Sequence, residues 1–203
     1  MLQRPWAWLA FALLMLVPPA VLVWEQAQLE SPEDYGPAPA FSMVSQDGAP
    51  FSPADLQGKV VVLDFIFTRC PDICPLMTSQ MVALQRSLPE RPFGGPELHL
   101  VSVSVDPTHD TPPVLQAYAR KYGADTGHWT FLTGSASDVN ALSEGLAQAL
   151  VTRPTEDGAA APDITHSQRM LLLDPAGHVR GFFPADEAGL EALVHAIEGV
   201  AAE

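Results

Sequence analysis

The run from Lys59 to Phe67 (KVVVLDFIF) constrains the fold more than any other part of this chain. It is apolar at odd and even positions alike. A half-exposed strand alternates, so a run apolar on both parities predicts a strand covered on both faces, the usual centre of an α/β sheet. Its neighbours agree. Pro75 to Leu88 places Leu76, Met77, Met81, Leu84 and Leu88 at helical spacing. Glu97 to Val105 alternates and predicts a second strand. Thr111-Pro112 opens a helix, with Thr as N-cap, that ends before Gly123.

Trp129 to Leu132 predicts a short strand, and Ser137 to Leu150 a helix interrupted by Gly145. Arg169–Leu173 and His178–Phe183 flank the turn Asp174-Pro175-Ala176-Gly177 and predict a hairpin, followed by a helix over Asp186–Val200. Upstream, Asp47-Gly48 is a hairpin signal, and Ser52-Pro53 fits the start of a short helical turn. Strands alternating with helices, then a closing ββα unit, predict an α/β protein with a thioredoxin-like fold, its central mixed sheet flanked by helices. The Pro/Gly/Ala-rich stretch 151–165 reads as a surface loop, and the chain has no internal repeats.

Trp6 to Trp24 is 19 residues without a charge, long enough to span a bilayer, which takes about 20 apolar residues. Tryptophans at both ends suit the interfaces, and Arg4 on the short side predicts that the rest is exported. A cleaved signal peptide is the rival, but no A-x-A-like site follows the apolar run. Residues 1–24 therefore read as an N-terminal transmembrane helix. It would be a single pass in the inner (cytoplasmic) membrane, with the soluble domain on the periplasmic side. The polar, Pro-rich residues 25–40 read as a linker, and 41–203 as the folded domain. A net charge of −14 disfavours nucleic acid as a partner.

The chain has two cysteines, Cys70 and Cys74. Three residues between them close too small a loop for a structural staple. Both lie where the buried strand hands over to a helix, the edge at which open α/β sheets bind ligands. Both precede proline, which predicts a rigid turn with Cys74 near the N-cap and Pro75 at the first helical position. Amides at a helix start stabilise thiolate, the form that binds metal or attacks a disulfide. Thioredoxin-type oxidoreductases use C-x-x-C; the spacing here is C-x-x-x-C, which lets two sulfurs converge on one ion without excluding a redox disulfide. Thiolates favour Cu(I), and an added imidazole also suits Zn(II) or Cu(II), so this chemistry alone does not choose the metal.

Six histidines could complete a site: His99, His109, His128, His166, His178 and His195. Loop placement singles out His166 and does no more than that. Asp64, in an otherwise apolar strand, must be hydrogen-bonded or protonated. It is either a structural hydrogen-bonding group or a carboxylate behind the cysteines that tunes thiol protonation. Asp106 and Asp110 read as turn and cap residues, and Met77 and Met81 as core.

The segment Asp64-Phe-Ile-Phe-Thr-Arg-Cys70-Pro-Asp-Ile-Cys74-Pro-Leu-Met-Thr78 resembles the signature of the SCO/SenC family. Further matches are Val103-Ser-Val-Asp-Pro107 with Asp110-Thr-Pro112, Phe131-Leu-Thr-Gly134, Thr165-His-Ser167 and Leu173-Asp-Pro-Ala-Gly177. The resemblance implies a membrane-tethered copper protein that helps mature the dinuclear copper centre of cytochrome c oxidase. It implies ligands at Cys70, Cys74 and His166, with copper as Cu(I) or Cu(II). Expected partners are the oxidase's copper-binding subunit and other copper chaperones. Three uses of the cysteines stay open: a metallochaperone rather than an enzyme, a thiol-disulfide reductase acting on that subunit's cysteines, and a redox or copper sensor. A peroxidase on the same fold has no distinct support in the residues.

Overall fold

The computed structural model describes residues 32–151 and 168–203. Among these no helix is long and apolar enough to cross a membrane. The expected span Trp6–Trp24, the first part of the linker, nearly all of the 151–165 loop and His166 lie outside them.

The chain runs β1 (Met43–Ser45), β2 (Pro50–Phe51), a 3-10 turn at Pro53–Leu56, β3 (Lys59–Ile66), α1 (Ile73–Ser87), a 3-10 turn at Pro92–Gly94, β4 (Glu97–Ser104), α2 (Pro112–Tyr122), β5 (Trp129–Thr133), α3 (Ala136–Val151), β6 (Arg169–Leu173), β7 (Val179–Pro184) and α4 (Glu187–Ala201). The sheet order is β2-β1-β5-β4-β3-β6-β7. β3 lies parallel to β4, and β4 to β5, while the β1–β5, β3–β6 and β6–β7 pairs are antiparallel. The mixed sheet flanked by helices is therefore the one expected.

The double-sided apolar pattern of β3 explains the layering. Val60, Val62 and Ile66 pack in one cluster with Met77 and Met81 of α1, Leu115 of α2 and Ile197 of α4. Val61, Leu63 and Phe65 point the other way, into a second cluster with Leu142 and Leu146 of α3. Met77 and Met81 are core, whereas Leu76, which the helical spacing had grouped with them, is 48% exposed. It is the only large exposed hydrophobic side chain among the described residues.

Two local differences have clear causes. Residues within the stretch read as a linker pack on the sheet: the Tyr35 amide donates to the Val179 carbonyl at 2.8 Å, and the Ala38 amide to the Gly177 carbonyl at 2.9 Å. Arg180 donates to the Pro32 carbonyl, Asp174 and Glu203. Residues 32–39 thus form a strap along β7. That strap accounts for the second difference, because α3 runs unbroken through Gly145. A Cβ there would sit 2.8 Å from the Cβ and Cγ of Pro39, so glycine permits a close crossing rather than ending the helix.

A Cβ at Gly189, in the first turn of α4, would overlap the Pro184 carbonyl oxygen. Gly189→Ala should lower unfolding free energy by about 1–3 kcal/mol, as overpacking does. Urea titration of the reduced protein measures this, and an unchanged midpoint would refute the packing of α4 against the end of β7.

Candidate metal centre

β3 delivers the chain to the carboxyl edge of the parallel strands, where it turns. The Cys70 amide donates to the Phe67 carbonyl at 3.1 Å, closing the turn. α1 then starts at Ile73, with Asp72 at the cap position. This corrects the expected start at Pro75: Cys74 and Pro75 are the second and third helical residues. A proline is tolerated there because the first four amides of a helix lack intrahelical acceptors anyway.

The two cysteines are unpaired and unequal. Cys74 is 3% exposed and packs in the cluster with Ile66 and Met77, while Cys70 is half-buried at its edge. The Cys74 amide donates to Cys70 Sγ at 3.4 Å. Burial raises the Cys70 thiol pKa, but the amides of Cys74, Asp72 and Ile73 and the Cys74 thiol outweigh it, leaving the pKa below its ordinary value. Burial pushes Cys74 up to about 12; the Phe67 amide opposes the rise, and the charges of Cys70 and Asp64 add to it. Cys70 is therefore the more acidic of the two thiols, and Cys74 holds its proton more tightly.

Asp64 is fully buried, on the same strand face as Val62 and Ile66. Its register partner on β4 is Ser102, whose hydroxyl donates to Asp64 Oδ1 at 2.6 Å. Ser102 in turn accepts from Trp129 Nε1 at 3.0 Å. Among the described residues no loop side chain or arginine bonds this carboxylate, and Oδ2 has no hydrogen-bond partner. Burial raises the Asp64 pKa to about 7, against the opposing Ser102 bond. The first turn of α1 is pinned from behind. Thr78 Oγ1 donates to the Cys74 carbonyl at 2.8 Å, so its 2.7 Å partner, the Tyr118 hydroxyl, is the donor to Thr78.

The β4–α2 loop holds the other side of the cysteine turn. Asp110, fully buried, accepts from the Thr68 amide, Thr68 Oγ1, Ser104 Oγ and His109 Nδ1 at 2.5–3.0 Å. Asp106 pairs with the Arg69 guanidinium. The turn reading of these two aspartates holds for the backbone, since the His109 and Asp110 amides donate to the Asp106 carbonyl. Their carboxylates do something the sequence reading missed: they bind the cysteine loop.

The model of the SCO1/SenC family matches residues 30–202. The chain is 34% identical over 153 residues to the SCO1 protein homolog of Bacillus subtilis, covering 75% of each. The chain belongs to the SCO1/SenC family. Among solved structures it is similar to BsSco, described as a member of the Sco family of cytochrome c oxidase assembly proteins and as carrying a disulfide switch. That match has 29% identity and a TM-score of 0.68, over 85% of this chain and 96% of the other. It is also similar to the copper-bound ScoI of Arabidopsis thaliana, at 25% identity and a TM-score of 0.61, over 79% and 98% of the two chains. The fold is thus the thioredoxin-like one of the family.

Of the expected site residues, the structure brings Cys70 and Cys74 together and sets Asp64 on the strand behind them. His166 lies outside the described residues. Among the described histidines, His109 is the one whose ring reaches the cysteine loop, with Nδ1 3.4 Å from Thr68 Oγ1. His99 is buried against Thr130, and His178 binds Asp34 on the strap. The missed residues had a signal. Ser102 and Ser104 occupy positions of β4 whose parity is otherwise apolar (Leu98, Leu100), and buried hydroxyls there imply polar partners opposite.

Iodoacetamide at pH 7 should label Cys70 and spare Cys74 in the reduced native protein, and label both in urea. Peptide mapping reads the outcome, and equal native labelling would refute the asymmetry. A second expectation follows from Asp64. An unfolded aspartate loses its proton near 3.8, whereas the native one keeps it to about 7. Between these values the native state binds more protons, so stability falls as pH rises. Asp64→Asn should remove this decline from denaturant midpoints measured across that window; an unaltered slope would show that Asp64 is not its source.

Proposed function

We propose that this chain is a copper metallochaperone. It binds one copper ion through Cys70, Cys74 and His166 and assists assembly of the dinuclear copper centre of cytochrome c oxidase. Residues 1–24 hold it in the cytoplasmic membrane, with the domain on the periplasmic side. The observation that carries this reading is the pair of unpaired cysteines in one short turn, in a chain of the SCO1/SenC family. The copper bound by the Arabidopsis relative and the assembly role given to the Sco family support it.

The residues suit a cargo that must be both held and released. Two sulfurs are a soft donor set that favours Cu(I), and an imidazole extends it to Cu(II). Cys70, its pKa held below that of an ordinary thiol by the amides around it, is the readier of the two to bind as thiolate. Cys74 becomes a ligand only by giving up its proton, and the charge on Asp64 opposes that loss. Asp64 accepts a proton near neutrality and has an oxygen without a partner among the described residues. Protonation of Asp64 therefore favours Cys74 thiolate, which links copper loading to proton movement within the domain.

The same asymmetry favours a second reading, reduction of a disulfide in the oxidase subunit. Cys70 thiolate would attack one sulfur and release the other as thiolate. Cys74 would then resolve the mixed disulfide, leaving the partner's cysteines reduced and Cys70–Cys74 oxidised. The disulfide switch of BsSco supports it.

The test titrates Cu(I) against a chelator with the reduced full-length chain in detergent. Cys70→Ser and Cys74→Ser should abolish stoichiometric binding. His166→Ala should weaken it by more than the roughly 10–100-fold that losing a supporting group costs. Equal affinity of wild type and His166→Ala would sink the three-ligand site. If His166→Ala also sustained oxidase assembly while Cys70→Ser did not, reduction would be the function.

A further inference from the structure

We propose that Asp110 is the positioning residue of the cysteine loop: by holding Thr68 at two atoms, it sets where Cys70 Sγ stands for copper capture. The inference rests on the copper reading above, but its geometric part can be tested without copper.

Cys70 lies in a turn, outside any strand or helix, so its position depends on how that turn is tied down. The Val105 amide donates to the Ile66 carbonyl at 2.8 Å, fixing the end of β3 against β4. Asp110 Oδ2 then accepts the Thr68 amide at 3.0 Å, and Oδ1 accepts the Thr68 hydroxyl. Arg69 is held by Asp106, and the Cys70 amide by Phe67. Each residue from Ile66 to Cys70 is thus held by a named partner, and Asp110 supplies two of these contacts from a fully buried carboxylate. Burying a carboxylate is costly unless its oxygens are satisfied. Here Ser104 and His109 complete the set at 2.6 and 2.9 Å.

A cation cradle is the obvious alternative, because one atom each from Asp106, His109 and Asp110 lie within 4.8 Å of one another. The hydrogen bonds argue against it. Both Asp110 oxygens are already occupied by four donors, and Asp106 by Arg69 and Thr108. The cluster is spent on holding a loop.

Two variants of the full-length reduced protein test this. Asp110→Asn keeps the shape but replaces one acceptor oxygen with a donor, and Thr68→Val removes one of the four bonds and leaves Asp110 with three. Both should remain folded by circular dichroism. Copper(I) affinity should fall about 10–100-fold in Asp110→Asn, and by less in Thr68→Val. The Cu(II)–thiolate absorption band should shift, and in metal-free protein the rate of Cys70 alkylation at pH 7 should change. Should Asp110→Asn not fold, Thr68→Val carries the same readouts. A folded variant with wild-type affinity, absorption and alkylation rate would overturn the proposal. If the wild type itself fails to bind copper, the metallochaperone reading is lost, and the alkylation rates alone decide the role of Asp110.

Discussion

Burial of β3 on both faces is the constraint on which the rest depends. A strand packed against α1, α2 and α4 on one side and α3 on the other cannot slide without flipping every apolar side chain to the wrong layer. Its eight paired positions along β4 lock the register. The turn that carries the cysteines therefore starts from a fixed point, and Asp64 is fixed opposite Ser102 by the same pairing. The chemistry at the edge of the sheet inherits its precision from a core that takes no part in it.

That core also separates the two sulfurs. Cys74 enters the first turn of α1 facing inward, where desolvation holds its proton, while Cys70 stays in the turn within reach of backbone amides. A single C-x-x-x-C motif therefore yields two different thiols, because one residue has joined a helix and the other has not. Both proposed uses of the pair exploit this difference, which is why the local geometry serves either and His166 becomes the discriminating residue.

Much of this was legible in the sequence. The parity of Lys59–Phe67 gave the central strand, and Thr111 and Gly123 marked the two end positions of α2. The cysteines stood out by spacing and by the prolines that follow them. Local rules failed where a distant segment intervened. Gly145 looks like a helix breaker until Pro39 is laid across it. Asp110 looks like a turn residue until Thr68, 42 positions away, donates to it. Asp64 was recognisable as an anomaly, but its partner was not, because register between β3 and β4 is a tertiary fact. Periodicity reports which face a residue takes; it does not report who stands opposite.

The strap at residues 32–39 ties distant parts of the chain through one side chain. The Arg180 guanidinium holds the Pro32 carbonyl and the Glu203 carboxylate together. A pull on either segment therefore reaches the sheet through its edge strand β7, two strands away from β3 and the cysteine turn that β3 carries. The proposed copper-site geometry is thus mechanically separated from the segments that a neighbouring molecule could tug.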